Sequence, residues 1–471
     1  MRINGKKILG ISDNSKSVKK DFIFVAVKGT RQDGRRFIQE AVDKKACLVA
    51  VEGKKPEGNV FPSVTFLEVK DSRSFLALAA SEFYGFPSDK IKVAGITGTN
   101  GKTTVAYLLE AILKAARIKC GVVGTVNYRY GNKVFKARNT TPGPVELNSM
   151  LSSMLKSGAL FCAMEVSSHA LDQQRVGGIY FHSAIFTNLT CDHLDYHKDM
   201  ESYFQAKTKL FRGLNSRALA VVNTDDEYGR RIVKSTCAKL ITYGIKNKAD
   251  VMAKNIRYNI QGTNFLLLSP SGKMKIKSRL IGEHNVYNLL AAASWGLGAG
   301  VSLEVIKRAV GTFIAPPGRL ERVGSGAQKN IFVDYAHTDD ALYNVLSALR
   351  PLCKGKIILI FGCGGDRDKG KRPKMGAVSE KLADKVIITN DNPRSEDPLE
   401  IIKDIKKGLR KANARVITDR AQAIKAGLDM AGREDILLIA GKGHEDYQII
   451  GNNAIHFDDK EEVKKCLRSA N

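Results

Sequence analysis

The sequence has no run of the roughly 18–20 apolar residues that a membrane-spanning helix needs, so no such helix is expected. Its start, Met1 to Lys7, is followed only by Ile-Leu-Gly-Ile before polar residues resume. That is too short for the core of a secretion signal, and a cytoplasmic protein without membrane insertion is expected. The 8 cysteines are scattered through 471 residues with no CxxC pair. A zinc ribbon and a disulfide frame are both unexpected, and the thiols read as free, mostly core side chains. Internal repeats and low-complexity linkers are absent. Acidic residues are scarce: 48 Asp+Glu stand against 75 Lys+Arg, a formal net charge of +27. The excess is +7 in residues 1–92, +15 in 93–317 and +5 in 318–471. There is no basic tail and no aromatic-interleaved basic stripe of the RNA-binding type. The charge therefore reads first as a solvated basic surface, next as a field that gathers small polyanions, and last as a nucleic-acid site.

Apolar residues at 43% and charged residues at 26% are those of an ordinary globular chain, and the length suits two to four domains. Three α/β units are expected. The first, residues 1–90, shows strand patterns at 22–27 and 47–51 and helical patterns at 37–45 and 72–84, the last ending at Gly85-Phe86-Pro87. The second, 91–316, alternates strands near 91–96, 119–123, 161–166, 184–189, 218–223 and 239–243 with helices. This alternation implies a parallel sheet covered on both faces. Residues 250–277 switch to short alternating runs and read as a small antiparallel appendage. Ala315-Pro316-Pro317-Gly318 is the strongest hinge signal, since adjacent prolines and a glycine cannot continue a helix. The third unit, 317–471, has strands near 331–334, 356–361, 385–389, 414–417 and 436–440.

Gly98-Thr99-Asn100-Gly101-Lys102-Thr103-Thr104 sits between the strand at 91–96 and a helix at 103–116. Glycines let backbone N–H groups close on phosphate oxygens, and the helix N-terminus adds partial positive charge. Lys102 is placed to reach the β/γ phosphates and Thr103 to ligate Mg2+. Glu165-Val-Ser167-Ser-His169 and Asp192-His193-Leu-Asp195-Tyr-His197 follow two more strands of that sheet. Ligands of open parallel sheets sit off the strand C-termini. Glu165 and His193 are therefore candidate ligands of a divalent cation beside ATP. A hydrolase triad is rejected for want of a GxSxG turn. Lys207, in Tyr203-Phe-Gln-Ala-Lys-Thr-Lys-Leu-Phe211, reads on its own as a helix-face lysine. In the third unit, Asp334-Tyr-Ala-His337, Gly362 to Asp368, Asn390 to Arg394 and Gly441 to Tyr447 each follow a strand. Arginine there suits a carboxylate, which it grips through two parallel hydrogen bonds.

The set GTNGKTT, EVSSH, DHLDYH, YFQAKTKLF, GEHNVYN and DYAHT, in this order and spacing, resembles the Mur ligase family over essentially the whole chain. Asn139-Thr-Thr-Pro142, DNPR and GKGHEDYQ resemble the branch that adds the third amino acid of the peptidoglycan precursor. The resemblance implies three domains: a small UDP-binding domain, a P-loop-type parallel-sheet ATPase domain and a Rossmann-like amino-acid domain. It implies ATP-dependent ligation, with Mg2+, of meso-diaminopimelate to UDP-N-acetylmuramoyl-L-alanyl-D-glutamate, through an acyl phosphate, by a monomer. It implies Gly98 to Thr104, Asn285, Asn288, Arg319, Asp334 and His337 around ATP. Thr103, Glu165, His193 and a carbamylated Lys207 would serve magnesium, with Lys102, Lys207, Glu165 and His193 as the catalytic set. Asp13, Ser15, Thr30, Arg31, Gln32, Asn139, Thr140, Thr141, Ser167, Gln173 and Arg175 would hold the UDP-muramoyl dipeptide. Arg367, Asp391, Asn392, Pro393, Arg394, Gly441 and Glu445 would hold diaminopimelate. Two departures stand out: Asn14-Ser15-Lys16 where the family has Asp-Ser-Arg, and Asp339 where proline is usual, an acid that a helix start accepts. The rival readings are the same reaction with L-lysine, a folylpolyglutamate-type ligase, and a nucleic-acid-stimulated P-loop ATPase.

Overall fold

The computed structural model describes residues 2–3, 6–29, 32–57, 61, 64–323, 329–410 and 414–469. Three sheets carry the molecule. The first has four parallel strands in chain order, Gly10–Ser12, Phe22–Ala26, Leu48–Glu52 and Thr65–Val69. Helix Ser72–Phe83 covers it and starts where Asp71 Oδ1 accepts the N–H groups of Arg73 and Ser74, each at 2.9 Å, an N-cap that satisfies two donors the helix leaves open.

The second sheet has a parallel centre in the order Cys120–Val123, Phe161–Glu165, Lys92–Thr97, Phe181–Phe186, Leu219–Asn223 and Lys239–Gly244. Its strands are apolar on both faces because helices cover both. Lys102–Ala115, Glu283–Gly298 and Leu303–Thr312 pack on one side, and Pro144–Lys156 and Met200–Arg212 on the other. The segment expected as a small antiparallel appendage forms three antiparallel strands, Val251–Asn259, Gly262–Ser269 and Gly272–Ser278, and they continue the edge of this same sheet. The cause is local. Asp250 Oδ2 accepts from Thr242 N at 2.8 Å and Thr242 Oγ1 at 2.7 Å, which brings Val251 beside Tyr243. At the opposite edge the hairpin Asn127–Tyr130 and Lys133–Lys136 extends the sheet.

The third sheet runs Glu321–Val323, Asn330–Asp334, Ile436–Ala440, Ile357–Phe361, Lys385–Ile388 and Ala414–Val416, all parallel except the first strand. A separate hairpin, Tyr447–Ile450 and Asn453–His456, follows the last core strand. Gly318 has φ +66°, and a Cβ there would strike the backbone of Gly443, so the chain entering this unit is packed against its Gly441–Glu445 loop. Among the described residues no helix is long and apolar enough to cross a membrane, and no cysteine is in a disulfide.

Candidate functional site

The strand Lys92–Thr97 delivers Gly98–Gly101 to the N-terminus of helix Lys102–Ala115. Gly98 (φ +149°) and Gly101 (φ +88°) occupy backbone space that side chains avoid, and a Cβ on Gly98 would collide with Thr187 Oγ1. The loop is tied to the neighbouring strand end: Thr99 N donates to Asn188 O at 2.8 Å and Asn100 N to Asn188 Oδ1 at 2.9 Å. Lys102 folds back over the loop, its Nζ 2.9 Å from Gly98 O and 2.7 Å from Thr99 O. Burial pulls its pKa down, partly offset by Glu165 and Asp192.

Glu165, at the end of the adjacent strand, is 1% exposed. Its carboxylate accepts from Thr103 Oγ1 (3.0 Å), Thr125 Oγ1 (2.9 Å) and Thr125 N (2.9 Å). Thr125 Oγ1 also lies 3.1 Å from Thr140 Oγ1. Thr141 Oγ1 donates to Glu165 O at 2.8 Å and accepts Ser167 N at 3.1 Å, so the 139–142 and 165–168 loops are one network. His193 sits at φ +57°, its Nε2 3.4 Å from Asp192 Oδ2. Partial desolvation lowers the pKa of the imidazole, against the pull of Asp192 beside it. Lys207 departs from its isolated reading as a helix-face lysine. It is 1% exposed, its Nζ donates to Gly98 O at 2.8 Å, and the same nitrogen lies 4.5 Å from the Tyr203 ring centroid. Burial, with Lys102 beside it, drives its pKa well below the ordinary lysine value.

The third unit closes this space from above. Arg319 Nη2 donates to Thr103 Oγ1 at 3.2 Å and its guanidinium stacks over Tyr335 at 4.8 Å. Asp334 accepts Leu320 N at 2.5 Å and Ala336 N at 2.7 Å, and so braces the turn that carries Arg319 and His337. His337 Nδ1 lies 2.9 Å from Tyr335 O. Asn288 Nδ2 donates to Asn285 Oδ1 at 3.0 Å, and Asn288 Oδ1 packs where a Cβ of Gly101 would be. Together these groups line one cleft of about 490 Å³, which also holds Thr140, Ser167 and Tyr287. Residue patterns did not single out Thr125 or Asp340. Asp340 Oδ2 accepts from Asn100 Nδ2 at 2.8 Å and Thr190 Oγ1 at 3.0 Å, which joins the third unit to the phosphate-type loop. Thr125 follows a strand end like the other site loops, and Asp340 opens the helix after DYAHT; both positions were findable by those signals.

Among the described residues no three His, Cys, Asp or Glu side chains form a metal cage. The donor set present is hydroxyl, carboxylate and imidazole around a glycine loop. It suits Mg2+, which keeps several waters and takes phosphate oxygens beside one or two carboxylates.

The remaining candidate residues fall into three places. Arg175 Nη1 donates to Thr141 O at 3.1 Å and its Nη2 to Gln173 Oε1 at 2.8 Å, while Gln173 Nε2 reaches Tyr196 OH at 3.2 Å. Asn139 O accepts Tyr128 OH at 2.5 Å. This rim adjoins the cleft through Thr141. Ser15, whose hydroxyl donates to Glu40 at 2.6 Å, and the exposed Asp13 and Gln32 belong to the first unit; Thr30 and Arg31 lie outside the described residues. In the third unit Asp391 and Asn392 are buried, and Asn392 Nδ2 donates to Glu445 Oε2 at 2.8 Å. Burial, with Asp391 nearby, raises the Glu445 pKa. Gly441, at φ +116°, faces Asp391 Oδ2. Arg394, which follows Pro393, has φ +54° and donates from Nη1 to Gly365 O at 2.7 Å, while the exposed Arg367 donates from Nη1 to Asp366 O at 3.2 Å.

Two family models match the chain, the Mur ligase middle domain over residues 96–296 and the Mur ligase, glutamate ligase domain over residues 318–443. The UDP-N-acetylmuramoyl-L-alanyl-D-glutamate–2,6-diaminopimelate ligase of Clostridium tetani is 43% identical over 463 residues, 98% of this chain and 95% of its own length. A solved structure with that same ligase name superposes with a TM-score of 0.71 at 33% identity, over 100% of this chain and 97% of the other. The MurF ligase of Thermotoga maritima, solved in complex with ADP, shares the fold with a TM-score of 0.65 at 18% identity, over 98% and 97% of the two chains.

Proposed function

The chain belongs to the Mur ligase family, and we propose that within it the protein is the ATP-dependent ligase that joins meso-diaminopimelate to the D-glutamate side-chain carboxylate of UDP-N-acetylmuramoyl-L-alanyl-D-glutamate, a step of peptidoglycan synthesis. Residues 1–90, 91–316 and 317–471 act as the UDP-binding, ATP-binding and amino-acid-binding domains of a cytoplasmic monomer. The observation that carries this reading is the 43% identity, over nearly both full lengths, to a ligase of that name. The cleft supports it, since Thr103 touches Glu165 on one side and Arg319 on the other.

A carboxylate is a poor electrophile. In the first step an oxygen of the D-glutamate carboxylate attacks the γ-phosphorus of ATP and ADP leaves, giving an acyl phosphate. In the second the amine of diaminopimelate attacks the carbonyl carbon, phosphate leaves and the nitrogen loses a proton. The protein supplies position and charge neutralisation. The amides of Gly98–Thr104 and Lys102 hold the phosphates, and Arg319 faces them from the third unit. Asn285, Asn288, Asp334 and His337 hold the nucleoside end. Thr103, Glu165, His193 and Lys207 as a carbamate would hold Mg2+, which when bound neutralises phosphate charge. Asp340 keeps the third unit over the cleft, which protects the acyl phosphate from water.

Arg394, Arg367, Asp391, Asn392 and Glu445 select the amino acid. A guanidinium there favours a substrate with a second carboxylate, which diaminopimelate has and L-lysine lacks. Amide formation measured with each amino acid in turn tests this choice: product with diaminopimelate is expected, and product with lysine alone would overturn it.

A further inference from the structure

The hairpin Tyr447–Ile450 and Asn453–His456 stands apart from the third sheet and pairs with no strand of it among the described residues. Four of its hydrogen bonds go instead to the loop that carries Arg394. Gln448, only 6% exposed, donates from Nε2 to Asp391 O at 2.8 Å. Ile449 N donates to Asn392 Oδ1 at 3.0 Å. Arg394 N donates to Ile449 O at 3.1 Å, and Gly451 N donates to Arg394 O at 2.8 Å. Both backbone polar groups of Arg394 are thus held by this one hairpin. Lys442, fully buried, adds a bond from Nζ to Asn392 Oδ1 at 3.1 Å.

These bonds have a consequence for backbone conformation. Arg394 lies at φ +54°, a left-handed geometry that a long side chain adopts only where its surroundings impose it. Within the loop the Arg394 side chain makes only a long contact to Asn392 O at 3.5 Å and the next turn closes from Glu396 N to Pro393 O at 3.2 Å, whereas the two hairpin bonds hold the N–H and the C=O on either side of the Arg394 Cα directly. The hairpin turns at Gly451, φ +58°, where a Cβ would meet nothing within 4 Å. The turn therefore needs glycine or asparagine for its dihedral and not for space.

We propose that this hairpin is a specificity clamp, with Gln448 as the positioning residue that sets the Asp391–Arg394 loop and so makes the enzyme require a second carboxylate on its amino-acid substrate. The clamp rests on the reading of Arg394 as the carboxylate-binding arginine. Gln448→Leu keeps the bulk but leaves the buried Asp391 carbonyl without its donor, so the loop loses its register. Gly451→Val strains the turn by dihedral alone, and Gly451→Asn keeps the left-handed conformation and should restore the parent behaviour.

The test is steady-state ligation by the full-length enzyme and these three variants, with meso-diaminopimelate and L-lysine as competing substrates and ATP varied separately. For Gln448→Leu and Gly451→Val the KM for diaminopimelate should rise about tenfold or more, with the KM for ATP unchanged and the preference over lysine reduced by a similar factor. Gly451→Asn should match the parent. Equal losses for both amino acids, or an unchanged preference in both variants, would overturn the clamp. A parent enzyme that accepts lysine as readily as diaminopimelate would instead overturn the reading of Arg394. Because a Cβ at position 451 meets nothing within 4 Å, Gly451→Val acts on the turn without disturbing the packed interior, and it keeps the test open if Gln448→Leu does not fold.

Discussion

Lys207 combines near-complete burial with a pKa driven well below that of an ordinary lysine. A neutral amine is the form that attacks carbon dioxide, so burial favours the proposed carbamylation of this nitrogen, and the resulting anion would lie beside the glycine loop. Lys207→Ala should remove nearly all turnover and recover part of it when short carboxylic acids are added to the assay; full activity without them would refute the role. Glu165 accepts three hydrogen bonds and is 1% exposed, at the wall of the cleft. Glu165→Gln should cut kcat by about 10²–10³-fold with little change in thermal midpoint, as for loss of one preorganised charged group. The two residues differ in how far the sequence exposes them. Glu165 is legible as an acid at a strand end. Lys207 read on its own looks like a surface lysine, yet it stands four residues from both Tyr203 and Phe211, which are themselves buried. Spacing of 3–4 residues put it on the inner face of its helix, and that periodicity was the available signal.

Elements of the parallel sheets follow from apolar runs, because strands covered on both faces have no room for polar residues. Elements at sheet edges do not. Thr65–Val69 is exposed or half-buried throughout and every residue of Lys133–Lys136 is exposed, so although Phe66, Leu67, Val134 and Phe135 are apolar, neither strand shows the continuous buried run of a central strand. The sheet extension at 251–278 was visible as strands, but its register depends on the Asp250–Thr242 contact, which no pattern in the sequence announces. The docking of helix Asp339–Leu349 on the glycine loop is of the same kind. Asp340 Oδ2 gathers Asn100, Thr190 and Asn344 within 3.2 Å. Asp340→Ala should leave those donors unmatched and loosen the third unit. We expect kcat/KM for ATP to fall about tenfold and the radius of gyration from small-angle scattering to grow, since a charged acceptor contributes about 1.5–3 kcal/mol. An unchanged scattering curve together with unchanged kinetics would show that the contact does not hold the unit in place.

Across the whole molecule the surplus of positive charge finds a place. Residues 251–282 hold six Lys and Arg and no acid, and Lys273, Lys275 and Lys277 are exposed along the outermost strand of the large sheet. Lysines on an edge strand keep it from pairing with another chain, which accounts for this part of the charge without a nucleic-acid partner. Stability should depend on pH through half-buried histidines. Burial lowers His284 and His337 to about 4 and His444 to about 3, against about 6.5 in an unfolded chain. Between those values the unfolded state binds protons that the native state does not, so stability is complete above pH 6.5 and is lost as pH falls toward 4. The raised Asp334 and Glu445 pKa values act in the opposite sense at the acid end of that window. A urea midpoint should therefore drop from pH 7 to pH 5.5, and less so in His284→Gln; a midpoint that rises would contradict the assignment. The most direct measurement is phosphate release from ATP by the purified protein with Mg2+. It should need UDP-N-acetylmuramoyl-L-alanyl-D-glutamate and meso-diaminopimelate together and be indifferent to DNA or RNA. Turnover without the two substrates that rises on adding nucleic acid would contradict the ligase.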